Sequence, residues 1–392
     1  MGGLSLFLFK QGSRNSINNK RREESFSTTY AHHFGLRLPH QDSICEVLSH
    51  MLPEKLDQVK MDLMSALFEQ KCLRKYRLFG KHYLVAVDAT GVVTFDYPHC
   101  EHCLQKKSKN GKVTYFHYVL EAKLVTPQGH CLSLASEWIE NPEGNFNKQD
   151  CEQKAFARLA AKIKKQYPRL DICILADGLY PNNTVFNICE NNQFKFIFVL
   201  QDKALKSVQQ DLLLTKRKAP ARTSYVVKNK QRITREFRLQ TDIEYKKQSI
   251  HWFGCTETRR KDIPARQKSE QEPTVHHFEY VTNLTPDSNN IIELAAAGRL
   301  RWKVENEGFN TQKCGDYELE HKYCRKSLNA LKNYYTLLQI AHAINQFIEK
   351  SALVVGFLKR HSKETLRNIW INLVAYMLLA DDYQKLILPN PT

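Results

Sequence analysis

Three carboxylates in this 392-residue chain, Asp88, Asp177 and Glu305, stand where phosphodiester chemistry would need them. Asp88 closes the apolar run Tyr83-Leu84-Val85-Ala86-Val87, and Asp177 closes Ile172-Cys173-Ile174-Leu175-Ala176. Both runs read as short buried strands, and strand ends are where an α/β sheet presents side chains to a crevice. A single Asp after an apolar strand is more often a turn residue. Two of them, with a glutamate on a long helix, form a set that can converge. Converging carboxylates repel one another unless hard cations lie between them, and oxygen donors with open positions suit Mg²⁺ or Mn²⁺. Two such ions clamp the attacking and leaving oxygens of an in-line displacement.

Positioning these groups takes a sheet and a helix, and the pattern supplies both. After the Asp88 strand, Thr114 to Val125 and His130 to Ile139 read as strands joined at Pro127-Gln128-Gly129. Lys148 to Tyr167 has helical spacing, closed by Pro168; the Asp177 strand, a helix from Asn183 to Asn192 and a strand from Phe194 to Leu200 follow. The fold class is therefore α/β, a mixed sheet with flanking helices. The Glu305 helix is expected from Asn290 to Cys314, ending at Gly315, and a second helix from Arg325 to Lys350. On a regular helix Arg301, Glu305, Gly308 and Gln312 share one face, with Glu307 nearly opposite. Trp302 and Phe309 are most simply core residues seating that helix.

Around this core the chain divides by texture. Residues 1–35 read as a basic and polar arm, with Leu4 to Phe9 as a short strand or hydrophobic clip. Residues 36–80 read as a helical region and 81–202 as the first part of the core. Residues 203–285 form a basic β-rich insertion, 286–350 the second part of the core, and 351–392 a helical tail. Residues 201–268 hold 18 Lys and Arg against 7 Asp and Glu, a large share of the chain's net charge of +17. Such an excess draws polyanions, nucleic acid first. Strands are expected at Ser224 to Val227, Gln231 to Leu239, Ile250 to Cys255 and His277 to Val281, with a loop from Arg259 to Pro273. Lys228, Lys230, Arg232, Arg235 and Arg238 on this insertion would form a track for a DNA backbone.

The composition, 42% apolar and 25% charged, is that of a globular protein, and no apolar run approaches the roughly 20 residues of a membrane span. The odd number of cysteines, 11, fits free thiols in a reducing, cytoplasmic setting. Cys100 and Cys103 supply half of a zinc site. The other half would come through the fold from His117, His130, Cys131 or Cys151, and reduced thiols in a loop are the simpler reading.

Val85-Ala86-Val87-Asp88-Ala89-Thr90-Gly91, Leu175-Ala176-Asp177-Gly178-Leu179-Tyr180 and Arg301-Trp302-Lys303-Val304-Glu305-Asn306 together resemble the three carboxylate motifs of the DDE transposases of bacterial insertion sequences. The resemblance spans about residues 35–350, with Phe34-Gly35-Leu36-Arg37-Leu38-Pro39 before the motifs and Gly308-Phe309-Asn310-Thr311 after the Glu. It implies a ribonuclease H-like core with a β-rich insertion between the second Asp and the Glu. It also implies metal-dependent cutting at the ends of a mobile element, joining to target DNA, and a homodimer on double-stranded DNA. In the resembled family a Tyr, an Arg and a Lys flank the Glu and contact phosphates. Here the Arg corresponds to Arg301, while the Tyr position is Gly298 and the Lys position is Gln312, with Lys313 next to it. Two other readings remain at this point: a nuclease of the same fold that cuts without joining, and a DNA-binding relic.

Overall fold

The computed structural model describes residues 1–141, 150–228, 231–261 and 272–378. In chain order these form α1 (Gly2–Leu8), α2 (Arg14–Arg22), α3 (Glu24–Phe34), α4 (Gln41–His50), α5 (Pro53–Glu69), a 3₁₀ turn (Arg74–Tyr76), β1 (Tyr83–Phe95), β2 (Leu104–Lys107), β3 (Val113–Val125), β4 (Cys131–Ile139), α6 (Glu152–Gln166), β5 (Ile172–Ala176), α7 (Asn183–Asn191), β6 (Lys195–Val199) and α8 (Lys206–Thr215). There follow β7 (Arg222–Lys228), β8 (Gln231–Tyr245), β9 (Gln248–Lys261), β10 (Thr274–Thr282), α9 (Ile291–Arg299), a π-helical segment (Val304–Asn310), α10 (Thr311–Cys314), α11 (Leu328–Glu349), α12 (Ala352–Arg360) and α13 (Leu366–Leu378).

The strands make one mixed sheet, ordered β2-β3-β1-β5-β6-β10-β9-β8-β7, with β4 also paired to β3. β1, β5 and β6 run parallel, whereas β3 is antiparallel to both β1 and β4. Alternation along β1 sorts its side chains into two layers. Val85 and Val87 join a core with Met61 of α5, Phe156 and Leu159 of α6 and Phe186 of α7. Leu84 and Ala86 point the other way, into a core with Ile291 and Leu294 of α9 and with Val304 and Phe309. β5 divides likewise: Ile172 and Ile174 go to the first layer, Cys173 and Leu175 to the second.

Several expectations need correction. Residues 1–35 are three helices and not an arm, and Leu4 to Phe9 lies in a helix and not a strand. Ser13 Oγ accepts from the Ser16 N–H to cap α2, and Gly35, at φ +64°, ends α3. The few apolar residues of these helices, Leu6, Phe7, Ile17, Phe26 and Tyr30, are buried with Tyr317, Tyr334 and Leu338 beside α11. Each such burial contributes about 1.5–3 kcal/mol, enough to override a polar composition. The segment 203–285 opens with α8, which the strand-like texture concealed. Its strands extend the core sheet, because β10 pairs with β6 (Tyr280 opposite Val199) and carries β9, β8 and β7 outward. Arg259, expected to begin a loop, lies within β9; residues 262–271 are outside the described residues, as are the first residues of the helix expected from Lys148 and the end of the tail, 379–392. The single helix expected over 290–314 is α9, a π-helical segment and α10 in succession. Trp302 is half exposed, not core, with the Arg301 guanidinium 4.8 Å from its ring centroid. Among the described residues no helix is long and apolar enough to cross a membrane.

Candidate active site

Asp88 does not end its strand. β1 continues to Phe95, and by alternation Asp88 lies on the face of Leu84 and Ala86, toward α9. β1 and β5 pair in register, with Ala86 opposite Leu175; carried forward two residues, that register sets Asp88 level with Asp177 just past the end of β5. Asp177 Oδ1 accepts the Leu179 N–H at 2.9 Å, so the chain turns sharply there and leaves the second carboxylate oxygen outside the turn.

Arg301 joins the third carboxylate to the first. It is 8% exposed, with Nη1 3.8 Å from Asp88 Oδ2 and Nη2 3.8 Å from Glu305 Oε2. Tight turns, in which Lys303 N–H donates to Leu300 O and Val304 N–H to Arg301 O, lead into the π-helical segment that carries Glu305. π-helical turns are rare and cluster at functional sites. Glu307 turns away, as the helical reading expects, and pairs with Lys303 at 2.5 Å.

The electrostatics of the cluster are those of under-neutralised acids. Burial pushes the Asp88 carboxyl up to about 6, Glu305 and Asp177 push the same way, and the Ala89 N–H and Arg301 only partly oppose them. A fourth carboxylate, Glu152 at the start of α6, is raised to about 7 by burial and then by Asp88 and Asp177. Tyr180, 2% exposed, lies against Glu152, Asp88 and Asp177, and burial raises its hydroxyl well above the ordinary range. Sequence reading found Asp88, Asp177 and Glu305, which the fold brings into one neighbourhood, but missed Glu152. The α6 helix is legible, yet nothing in its spacing marks its first residue as facing two strand ends. Tyr180 carried one signal, its place within the Asp177 motif.

These oxygen donors are of the type that hard divalent cations take, although among the described residues their ligand atoms do not close into one compact set. Four carboxylates lie near one arginine, and burial, reinforced by their mutual repulsion, raises Asp88 to about 6 and Glu152 to about 7. Arg301 Nε is buried and has no acceptor among the described residues.

Other expected contacts are placed differently. Gln312 does not share a face with Arg301: it is fully buried and its amide meets Gln339 and His342 of α11. Lys313 pairs with Glu320 at 2.8 Å. An alanine Cβ built on Gly298 would lie 2.7 Å from the Tyr280 ring, so a tyrosine from β10 already covers the position where the resembled helix carries its own. On the basic strands, Arg235 is held by Glu257 at 2.6 Å, and Arg238 donates to the Lys218 carbonyl and meets Glu236. Arg232 has partners of its own within the fold. Lys230 and the Lys228 side chain lie outside the described residues. Glu257 is fully buried beneath three guanidinium groups, from Arg235, Arg259 and Arg299. Of the residues proposed to complete a metal set with Cys100 and Cys103, the fold brings His117 to them. His130 instead meets Thr126, Cys131 bonds through its backbone to Gln346, and Cys151 is exposed.

Compared with family models and with curated proteins, the chain matches none.

Proposed function

We propose that the chain is a DDE-type DNA transposase that cuts at the ends of its own mobile element and joins the freed 3′-OH to target DNA. The observation that carries this reading is the convergence of Asp88, Asp177, Glu305 and Arg301 at one edge of the parallel strands β1 and β5. The strand order β4-β3-β1-β5-β6, with β3 antiparallel and β5 and β6 parallel to β1, supports a ribonuclease H-like core. The β7 to β10 ribbon lies in sequence between the second Asp and the Glu, where the resembled family carries its insertion.

In this reading Asp88, Asp177 and Glu305 hold two Mg²⁺ or Mn²⁺ ions, with Glu152 beside them. Bound there, the ions supply activation of the attacking oxygen and stabilisation of the leaving one. A cation held there would offset the burial that raises Asp88 and Glu152, so both would face it as carboxylates. Arg301 spans Asp88 and Glu305 and directs its free Nε–H toward a phosphate oxygen. The surplus of positive charge over residues 201–268 steers the flanking duplex at long range, since Arg235 and Arg238 already meet acidic partners within the fold.

The relic reading keeps one specific support: Gln312 is committed to the core and Lys313 to Glu320, so the lysine the resembled family brings to phosphate has no counterpart on this face. The deciding experiment is cleavage of a labelled duplex bearing the element's terminal inverted repeat, in Mg²⁺ and in Mn²⁺, with wild type beside Asp88→Asn, Asp177→Asn and Glu305→Gln. Nicking at the element boundary and joined products from wild type alone support the transposase. Cutting without joining makes it a nuclease, and salt-sensitive binding without cutting makes it a relic.

A further inference from the structure

Beyond Asp88, β1 runs to Phe95, and the chain then loops through His99, Cys100, His102 and Cys103 before β2 returns it to the sheet beside β3. His117 stands on β3 opposite Val93 and is 1% exposed; Cys103 is fully buried. The three ligand-type atoms of Cys100, Cys103 and His117 form a nearly equilateral triangle. Cys100 Sγ lies 3.6 Å from Cys103 Sγ and 3.4 Å from His117 Nε2, and Cys103 Sγ lies 3.6 Å from the same nitrogen.

Ordinary zinc bond lengths at tetrahedral angles set sulfur to sulfur about 3.8 Å apart and sulfur to nitrogen about 3.6 Å, so the triangle has the dimensions of one face of a zinc tetrahedron. The two alternatives fit less well. A disulfide needs its sulfurs at about 2.05 Å, and both cysteines are free thiols. Thiol hydrogen bonds are weak, and three of them would have to hold two thiols and a buried imidazole in one tight triangle. The candidate for the fourth corner is His99, with a ring nitrogen within 4.8 Å of Cys100 Sγ and of the His117 ring nitrogen but not of Cys103 Sγ. Its ring stacks on Phe95 at 4.0 Å, and its Nδ1 is also buried without a partner among the described residues. Closing the four-ligand set takes a turn of the His99 ring toward Cys103.

We propose that His99, Cys100, Cys103 and His117 form a structural zinc site, separate from the carboxylate cluster and independent of what that cluster does. Two sulfurs and two imidazoles select zinc over the hard cations that carboxylates bind, and a set with no open position is structural. The ion ties the 96–103 loop to β3 at the level of Val93, on the same strand as Asp88. It thereby secures the edge that β2 forms, where four residues of pairing are all the strand supplies.

The test is metal analysis of the full chain, purified without chelator, with no DNA or activity involved. The expected result is one zinc per chain in wild type, falling to background in Cys103→Ser. Should that variant fail to fold, wild type stripped of metal and refilled with Co²⁺ is expected to show the intense visible bands and thiolate charge-transfer of a tetrahedral site. His99→Ala should alter that spectrum and His102→Ala should not; the reverse pattern would overturn the ligand set. Zinc far below one per chain, with Cys100 and Cys103 alkylating as fast as the exposed Cys72 and Cys314, would overturn the site altogether.

Discussion

Replacing Asp88 by Asn should stabilise the metal-free protein, although it removes a partner from a buried arginine. Burial, then Glu305 and Asp177, lift this carboxyl from 3.8 to about 6 against the pull of the Ala89 N–H and Arg301. The folded state therefore binds the proton more tightly than the unfolded chain does. Below pH 3.8 both states are protonated and the group is neutral in its effect; between there and about 6 the folded state loses stability as pH rises, and above that the loss is complete. A rise of that size corresponds to about 3 kcal/mol, discounted to about 2 because the side chain is 22% exposed. The assay is thermal unfolding in EDTA at pH 8 and at pH 4. Asp88→Asn should melt higher than wild type by roughly 2–5 °C at pH 8, and the gain should vanish at pH 4. Millimolar Mg²⁺ or Mn²⁺ should raise the wild-type midpoint by mass action and leave the variant's nearly unmoved. A variant that melts lower than wild type at pH 8 in EDTA would refute the argument, because it would make Asp88 a structural partner of Arg301 and not an uncompensated charge.

Metal-dependent cleavage at subsaturating Mg²⁺ should climb as pH rises through about 6 to 7, where Asp88 and Glu152 release their protons, and flatten at saturating metal; a profile indifferent to metal concentration would count against those two groups. Glu257→Gln should cost about 1–3 kcal/mol in denaturant unfolding, since it removes the charge under three arginines that are themselves about a third exposed and can turn to water. The same carboxyl, lowered to about 2 because hydrogen bonds from Arg235 and Arg259 and the charge of Arg299 outweigh its burial, gives stability that is present above pH 4.5 and lost as pH falls toward 2; an acid titration of the midpoint measures it. Gly298→Ala places a methyl 2.7 Å from the Tyr280 ring and should destabilise by about 1–3 kcal/mol, whereas the double change with Tyr280→Leu should recover much of the loss. Affinity for duplex DNA should fall steeply with added salt, read as the slope of log K against log salt in a titration series.

Most of the sheet was legible, because strands such as Ile172–Ala176 and Tyr83–Val87 are short apolar runs between turn residues, and the pattern that found them also found Asp88 and Asp177. The strand holding Asp88 was read too short, since the polar Asp-Ala-Thr-Gly stretch breaks the apolar run while β3 keeps pairing with it through to Phe95. The amino-terminal helices were hidden because their stability comes from a handful of buried aromatics docked on α11, a contact across some three hundred residues of sequence. Half of the Cys100/Cys103 cluster was visible as a spacing; His117 is brought to it by strand pairing, which spacing does not encode. Glu152 was missed for the same reason.

The π-helical segment sets how the two ends of its helix are phased. A regular helix advances about 100° per residue, whereas i→i+5 pairing lets a helix absorb an additional residue without breaking its neighbours. The wider turn of Val304–Asn310 carries Gln312 into the pocket of Gln339 and His342 while leaving Glu305 beside Arg301. Deleting Asn310 should reverse that step, returning the helix to even winding and swinging position 312 back toward the crevice. One residue of length then decides whether position 312 belongs to the core or to the face that Arg301 and Glu305 share.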